Sequence, residues 1–189
     1  MAKFEDTVKN LLPFFDEREK RQDSVLSLSR EIVRLSAKAI KDLHSSDLSS
    51  ARTSIAELQS KILAMKAIDK GFEHISSICY QEFTEISCLS AVFDRKDLPS
   101  HEDLGLEPVP YLNGVADVAG ELRRAIQVSL AENRLEDAKY YFSRLEDVYD
   151  NLMLIKYSSS LVGQLRRKTD VARGQLEQAR SEMLRYRSG

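Results

Sequence analysis

Residues 75–93 read ISSICYQEFTEISCLSAVF, and the only charges in that run are Glu82 and Glu85. Almost continuous apolar and small residues over this length predict a helix, from about Lys70 to Phe93, that is heavily buried and central to the fold. A second stretch of the same character follows at residues 108–120, PVPYLNGVADVAG, where Asp117 is the only charge. Pro110 suits the first turn of a helix running to about Ala131, because a first-turn residue has no helical acceptor for its missing amide hydrogen. Two central helices of this kind require others to cover them.

The flanking segments supply amphipathic covers. Val25, Leu28, Ile32, Leu35, Ala39 and Leu43 step by three and four, with Arg30, Glu31, Arg34 and Lys38 between them, which predicts a helix from about Phe14 to His44. Residues 3–11 read as a separate short helix, ended or kinked at Pro13. Ser45, Ser46 and Asp47 form a turn and a cap for the next helix, where Ala51, Ile55, Leu58, Ile62 and Met65 repeat the spacing, so these two helices pack as a hairpin. Asp94–Pro110 is the one clear loop, with room for a short helical turn. Beyond Asn133, a fifth helix reaches about Tyr157 with Ala138, Phe142, Leu145, Val148, Leu152 and Ile155 along one side. Ser158–Ser160 break it, and a charged last helix runs from Leu161 to about Tyr186 on Leu165, Ala172, Leu176, Ala179 and Met183. The expectation is an all-α bundle of six or seven helices in a single domain over residues 1–189.

Composition agrees. The 189 residues are 42% hydrophobic and 31% charged, with seven Gly, four Pro and no Trp. Twenty-eight Lys and Arg against thirty Asp and Glu leave a formal charge of −2, so no general attraction to nucleic acid or membrane follows and any basic surface is local. Cys79 and Cys88 fit no metal or redox spacing and read as small core residues of a reducing compartment. Charges occur almost at once after Met1, and no apolar run approaches the roughly 18 residues of a spanning helix. The expected setting is soluble and cytoplasmic, with no membrane contact.

Acids on the two most apolar helices need compensation, because an ionised carboxylate buried without a partner costs several kcal/mol. Glu82 and Glu85 are three apart, and Asp117 and Glu121 four apart. Each pair therefore projects from one face, and two adjacent helices can bring all four together. An all-oxygen set suits Mg²⁺ or Mn²⁺, and such ions serve phosphodiester hydrolysis. The same spacing is equally compatible with solvated acids, or with acids neutralised by arginines such as Arg123 and Arg124.

Other chemistries lack their residues. With His44, His74 and His101 as the only histidines, there is no His-Glu-x-x-His and no Glu-x-x-His, which disfavours zinc-protease and di-iron sites. No Gly-x-Ser-x-Gly elbow is present. Residues 163–169, GQLRRKT, lack the second glycine and the preceding strand of a phosphate loop. Arg166, Arg167 and Lys168 read as a basic helix surface, solvated structural charge being favoured over phosphate contact.

Several motifs resemble the translin family. Phe15-Asp16-Glu17-Arg18, Leu28-Ser29-Arg30-Glu31-Ile32 and Leu43-His44 are similar to its first helix. Gln81-Glu82-Phe83-Thr84-Glu85 resembles the Gln-Glu-Tyr-x-Glu pattern of the translin-associated factor X branch. Tyr111-Leu112-Asn113-Gly114-Val115-Ala116-Asp117, continuing to Gly120-Glu121-Leu122, is similar to that branch's Tyr-Leu-x-Gly-Val-Ala-Asp-x-x-Gly-Glu-Leu. Val148-Tyr149-Asp150 has a counterpart there, while Leu165-Arg166-Arg167-Lys168-Thr169-Asp170 looks more like translin itself. The resemblance spans nearly the whole chain.

That resemblance implies a seven-helix bundle and Mg²⁺-dependent endoribonuclease activity inside a hollow octamer. It assigns Glu82, Glu85 and Asp117 as catalytic metal ligands, holding one or two Mg²⁺ or alternatively Mn²⁺. Glu121 takes a supporting place, behind the ligands or through a water. Candidate RNA contacts are Arg30, Arg34, Lys38, Arg123 and Arg124, with His74 a weaker one. The basic N-terminal extension and the insertion after the third helix, typical of eukaryotic factor X, have no counterpart, so nuclear targeting is not implied. A factor X acid set combined with a translin-like last helix suggests a compact, archaeal type of subunit that assembles with itself, an octamer being expected. Two other readings compete. One is a non-catalytic scaffold for single-stranded RNA or DNA, with steeply salt-dependent binding. The other is a helical adaptor whose last helix docks a protein.

Overall fold

The computed structural model describes residues 2–188, and among these it contains seven helices and no strand. The all-α expectation holds, and the departures from it fall where the chain turns.

The first helix, α1, runs unbroken from Ala2 to His44 with Pro13 inside it. The expected break at Pro13 is absent. Residues 3–24 are exposed throughout, so the carbonyl that loses its amide partner at Pro13 faces water, and no tertiary contact pulls the two segments apart. Arg18 and Arg21 donate to the Gly71 and Lys70 carbonyls at 3.3 and 2.8 Å, and the part of α1 before them overhangs the bundle by about 24 Å at the usual helical rise. Burial begins at Val25 and continues through Ser29, Ile32, Ser36, Ala39 and Leu43, the stripe that packs on α2 (Leu48–Ile68) and α3 (Glu73–Phe93). Ser46, with φ 61°, makes the turn. Asp47 caps α2 by accepting the Ser50 amide at 3.0 Å.

Between α2 and α3, Gly71 sits at φ 83°, and α3 begins at Glu73 rather than Lys70 because this left-handed residue interrupts the helix. The Asp69 carboxylate closes the corner, accepting Ser76 Oγ at 2.5 Å and Tyr80 Oη at 2.6 Å. The following loop holds hydrogen-bonded turns at residues 101–105 but no helix. The fourth helix, α4 (Pro108–Ala131), carries Pro110 in its first turn as expected, together with Pro108, so the loop before it ends at Glu107. It packs against α3, α5 (Leu135–Leu152) and α7 (Leu165–Ser188). The two segments expected to be central are central.

The fifth helix stops at Leu152, short of Tyr157. Leu154 and Ile155 donate instead to the carbonyls of Asn151 and Leu152, at 3.2 and 3.1 Å, a tightened last turn that returns Ile155 to the core while leaving Leu154 75% exposed. A four-residue helix, α6 (Ser159–Val162), follows, and Gly163 at φ 61° separates it from α7. The last helix therefore begins at Leu165, not Leu161. Cys79 and Cys88 are buried free thiols, as expected. No helix among the described residues is long and apolar enough to cross a membrane.

Candidate functional site: an acid cluster between α3 and α4

Gly114 sets the geometry. A β-carbon at this position would lie 2.5 Å from the Gln81 carbonyl oxygen and 2.6 Å from Thr84 Cβ, closer than real β-carbons approach, so only glycine lets α3 and α4 cross here. Asp117 and Glu121 follow Gly114 at steps of three and four, on the same stripe of α4. Glu82 and Glu85 stand on the turn of α3 that Gly114 touches. The close crossing therefore brings together four acids separated in sequence.

Their electrostatics record the proximity. Burial first, then the charges of Glu82, Asp117 and Glu121, push the Glu85 carboxyl up to about 8 against the opposing pull of Lys168. Burial and Asp117 raise Glu82 as well. Burial raises Asp117, opposed by the hydrogen bond and charge of Lys168. Glu121 goes the other way: a hydrogen bond from His44 holds it below the ordinary glutamate range, with help from Arg124. Burial and like charge disfavour ionisation, whereas a positive partner favours it. As the side chains stand, no three acid, His or Cys groups among the described residues form a set that would hold a metal.

Two basic side chains enter the cluster from other helices. Lys168 of α7 donates to the Asp117 carboxylate, to Gln81 Oε1 at 2.7 Å and to the Asn113 carbonyl at 3.2 Å. Its side chain is 19% exposed, so the expectation of a solvated surface lysine is corrected. The signal was present in the sequence: Leu165 and Ala172 mark the buried stripe of α7, and Lys168 lies three past one and four before the other. His44 of α1 places Nε2 2.7 Å from Glu121 Oε2 with its side chain 5% exposed, and its ring meets Phe93 edge-on at 5.6 Å between centroids. Neither residue was among the sequence-derived candidates for this cluster.

The proposed phosphate contacts lie elsewhere or face other partners. Arg30 and Arg34 are exposed on α1, and Lys38 bonds Asp42, Ser50 and Ser54 at 2.7, 2.8 and 3.0 Å, tying α1 to α2. His74 is exposed near the start of α3. Arg123 turns toward α7, donating to Gln175 at 3.2 Å and to Glu182 at 2.7 Å. Arg124 is exposed, with Nη1 3.6 Å from Glu121. Beside the acids, between α4 and α7, lies a cavity of about 290 Å³ bordered by Asp117, Gly120, Gln164, Arg167, Lys168 and Gln175.

No protein-family model matches the chain. It is 32% identical over 186 residues to the uncharacterized protein MJ0175 of Methanocaldococcus jannaschii, covering 96% of this chain and 83% of that protein. Among solved structures it is similar to apo-NeC3PO, with TM-score 0.87 and 25% identity over 95% of this chain and 96% of that one. It is also similar to AfC3PO in complex with duplex RNA, with TM-score 0.84 and 27% identity over 98% and 97% of the two chains. The crystal structure of AfC3PO alone gives TM-score 0.84 and 28% identity over the same shares.

Proposed function

We propose that the chain, which shares its fold with NeC3PO and AfC3PO, is a translin-family, RNA-binding, divalent-metal-dependent endoribonuclease. The observation that carries this reading is the acid crossing itself: Glu82, Glu85 and Asp117 lie buried beside one another, and burial first, then the neighbouring acids, carries the Glu85 carboxyl up to about 8. A divalent cation offsets the repulsion among these acids. The donors are carboxylate oxygens, which fit Mg²⁺ or Mn²⁺; Glu82, Glu85 and Asp117 would hold the ion once their side chains turn from the present arrangement, in which Lys168 engages Asp117, and Glu121, beside His44, would support them. When bound, the ion activates a water and offsets charge on the phosphoryl oxygens. Hydrolysis would exchange the phosphorus–oxygen bond to the leaving nucleotide for one to water, with Glu82, Glu85 and Asp117 as the residues that hold the ion. RNA as the ligand is supported by the duplex-RNA complex of the similar AfC3PO. Self-assembly is supported by the exposed Phe4, Leu11, Leu12, Phe14 and Phe15 on the overhang of α1; an octamer is the state that the translin resemblance implies.

A second reading is a non-catalytic RNA-binding scaffold. The Lys168–Asp117 and His44–Glu121 contacts favour it, because protein groups alone already give two of the four acids a hydrogen-bond partner. Labelled single-stranded and duplex RNA, incubated with Mg²⁺ or with EDTA, separates the two. The nuclease reading expects cleavage by the wild type in Mg²⁺ only, and a loss of at least about a hundredfold in Glu82→Ala and Asp117→Ala. Full cleavage by both variants overturns it, and binding without products selects the scaffold.

A further inference from the structure

Lys168 is placed unlike any surface lysine. It rises from the buried stripe of α7 and directs its three N–H groups to three acceptors: the Asp117 carboxylate, the Gln81 amide oxygen and the Asn113 carbonyl. Gln81 and Asn113 immediately precede Glu82 and Gly114, so the ammonium spans α3 and α4 where the two helices are closest. A fully satisfied, largely buried ammonium is a site for a positive charge that the fold has already built.

A divalent ion ligated by Asp117 needs the same carboxylate. Two cations a few ångströms apart in a half-buried site repel strongly, so the ion and the ammonium cannot both keep that contact. Lys168 has somewhere to go. The cavity between α4 and α7 opens beside it, with Gln164 and the exposed Arg167 on its rim, and nothing lies within 4 Å of where a β-carbon on Gly120 would stand. An ammonium turned into that space, next to Arg167, faces outward with donors free for an anionic oxygen, and phosphate is the anion that RNA offers there.

We propose that Lys168 is an exchangeable counter-ion: it holds Asp117 in the metal-free protein, is displaced when a divalent cation binds, and then contacts an RNA phosphate at the Gln164–Arg167 cavity. This rests on the metal reading above. Lys168 is thereby a positioning residue that couples the two ligands, and coupling of this kind is reciprocal: metal tightens RNA, and RNA tightens metal.

The test measures Mn²⁺ affinity by electron paramagnetic resonance, with and without a cleavage-resistant 2′-O-methyl phosphorothioate RNA, and RNA affinity by fluorescence anisotropy with and without Mn²⁺. In the wild type each ligand is expected to tighten the other severalfold. Lys168→Met is expected to bind Mn²⁺ alone roughly tenfold more tightly, because the competing charge is gone, and to lose the mutual tightening. Lys168→Arg, which keeps the charge, retains the weaker wild-type Mn²⁺ affinity. Melting curves report folding, and Lys168→Gln, which keeps a donor, replaces the Met variant if that one does not fold. Equal Mn²⁺ affinity in the wild type and the neutral variants overturns the exchange while the metal reading stands. No Mn²⁺ binding by any of them, at concentrations where Glu82→Ala is equally silent, overturns both.

Discussion

Gly114 on α4 stands so close to Gln81 on α3 that a β-carbon would fall 2.5 Å from the Gln81 carbonyl oxygen. The obstructing atoms are backbone and a β-carbon, which cannot swing aside, so Gly114→Ala must push the helices apart. The expected loss is about 1–3 kcal/mol, read as a lower melting temperature together with weaker divalent-ion binding, since both acid pairs flank the crossing. An alanine variant as stable as the wild type would mean that the crossing is loose.

Glu85 gives the metal-free protein a pH dependence of definite sign. Its carboxyl ordinarily titrates near 4.5, and burial with the neighbouring acids carries it to about 8 in the folded state. Between those values the folded chain holds a proton that the unfolded chain has released, so stability falls as pH rises from 4.5 through 8. Glu85→Gln stays neutral and should flatten that decline, with a gain over the wild type on the order of a few kcal/mol above pH 8. Thermal melts in EDTA from pH 5 to pH 9 make the comparison; parallel curves for the two proteins would refute it.

His44 and Glu121 should be energetically coupled. The imidazole is almost wholly buried, within 2.7 Å of the carboxylate and edge-on to Phe93. Its replacement by Ala removes a hydrogen bond to a charged group and leaves a void, an expected loss of about 2–4 kcal/mol. His44→Phe, which keeps the ring contact, should lose less. A double-mutant cycle with Glu121→Gln should return a coupling of about 1 kcal/mol or more, and strict additivity would show that the contact contributes nothing.

The overhang of α1 should matter to assembly and not to the fold of the subunit. Phe14 and Phe15 are both more than half exposed, with their rings packed only edge-on to each other at 5.2 Å. Substituting both by Ser should lower the mass measured by light scattering at micromolar concentration and leave the helical content seen by circular dichroism intact. An unchanged mass would remove this surface from the assembly contact.

Helix order, the choice of residues 75–93 and 108–120 as the central elements, and the oddity of acids within them were legible in the sequence alone. A period of three and four residues identifies the buried face of each helix, and a lone charge in an apolar run stands out against it. For the opposite reason α1 does not end at Pro13: the local rule acts where no packing enforces a break. The partners of the acids belong to the tertiary structure. Lys168 reaches Asp117 across 51 residues and His44 reaches Glu121 across 77, and periodicity does not say which turn of a neighbouring helix a given face will meet. That register is decided by contacts between helices, above all the bare backbone of Gly114 against α3 and the break at Gly163 that sets where α7 begins. The sequence determined that four acids needed compensation; only the packing of α7 and α1 decided that a lysine and a histidine would provide part of it.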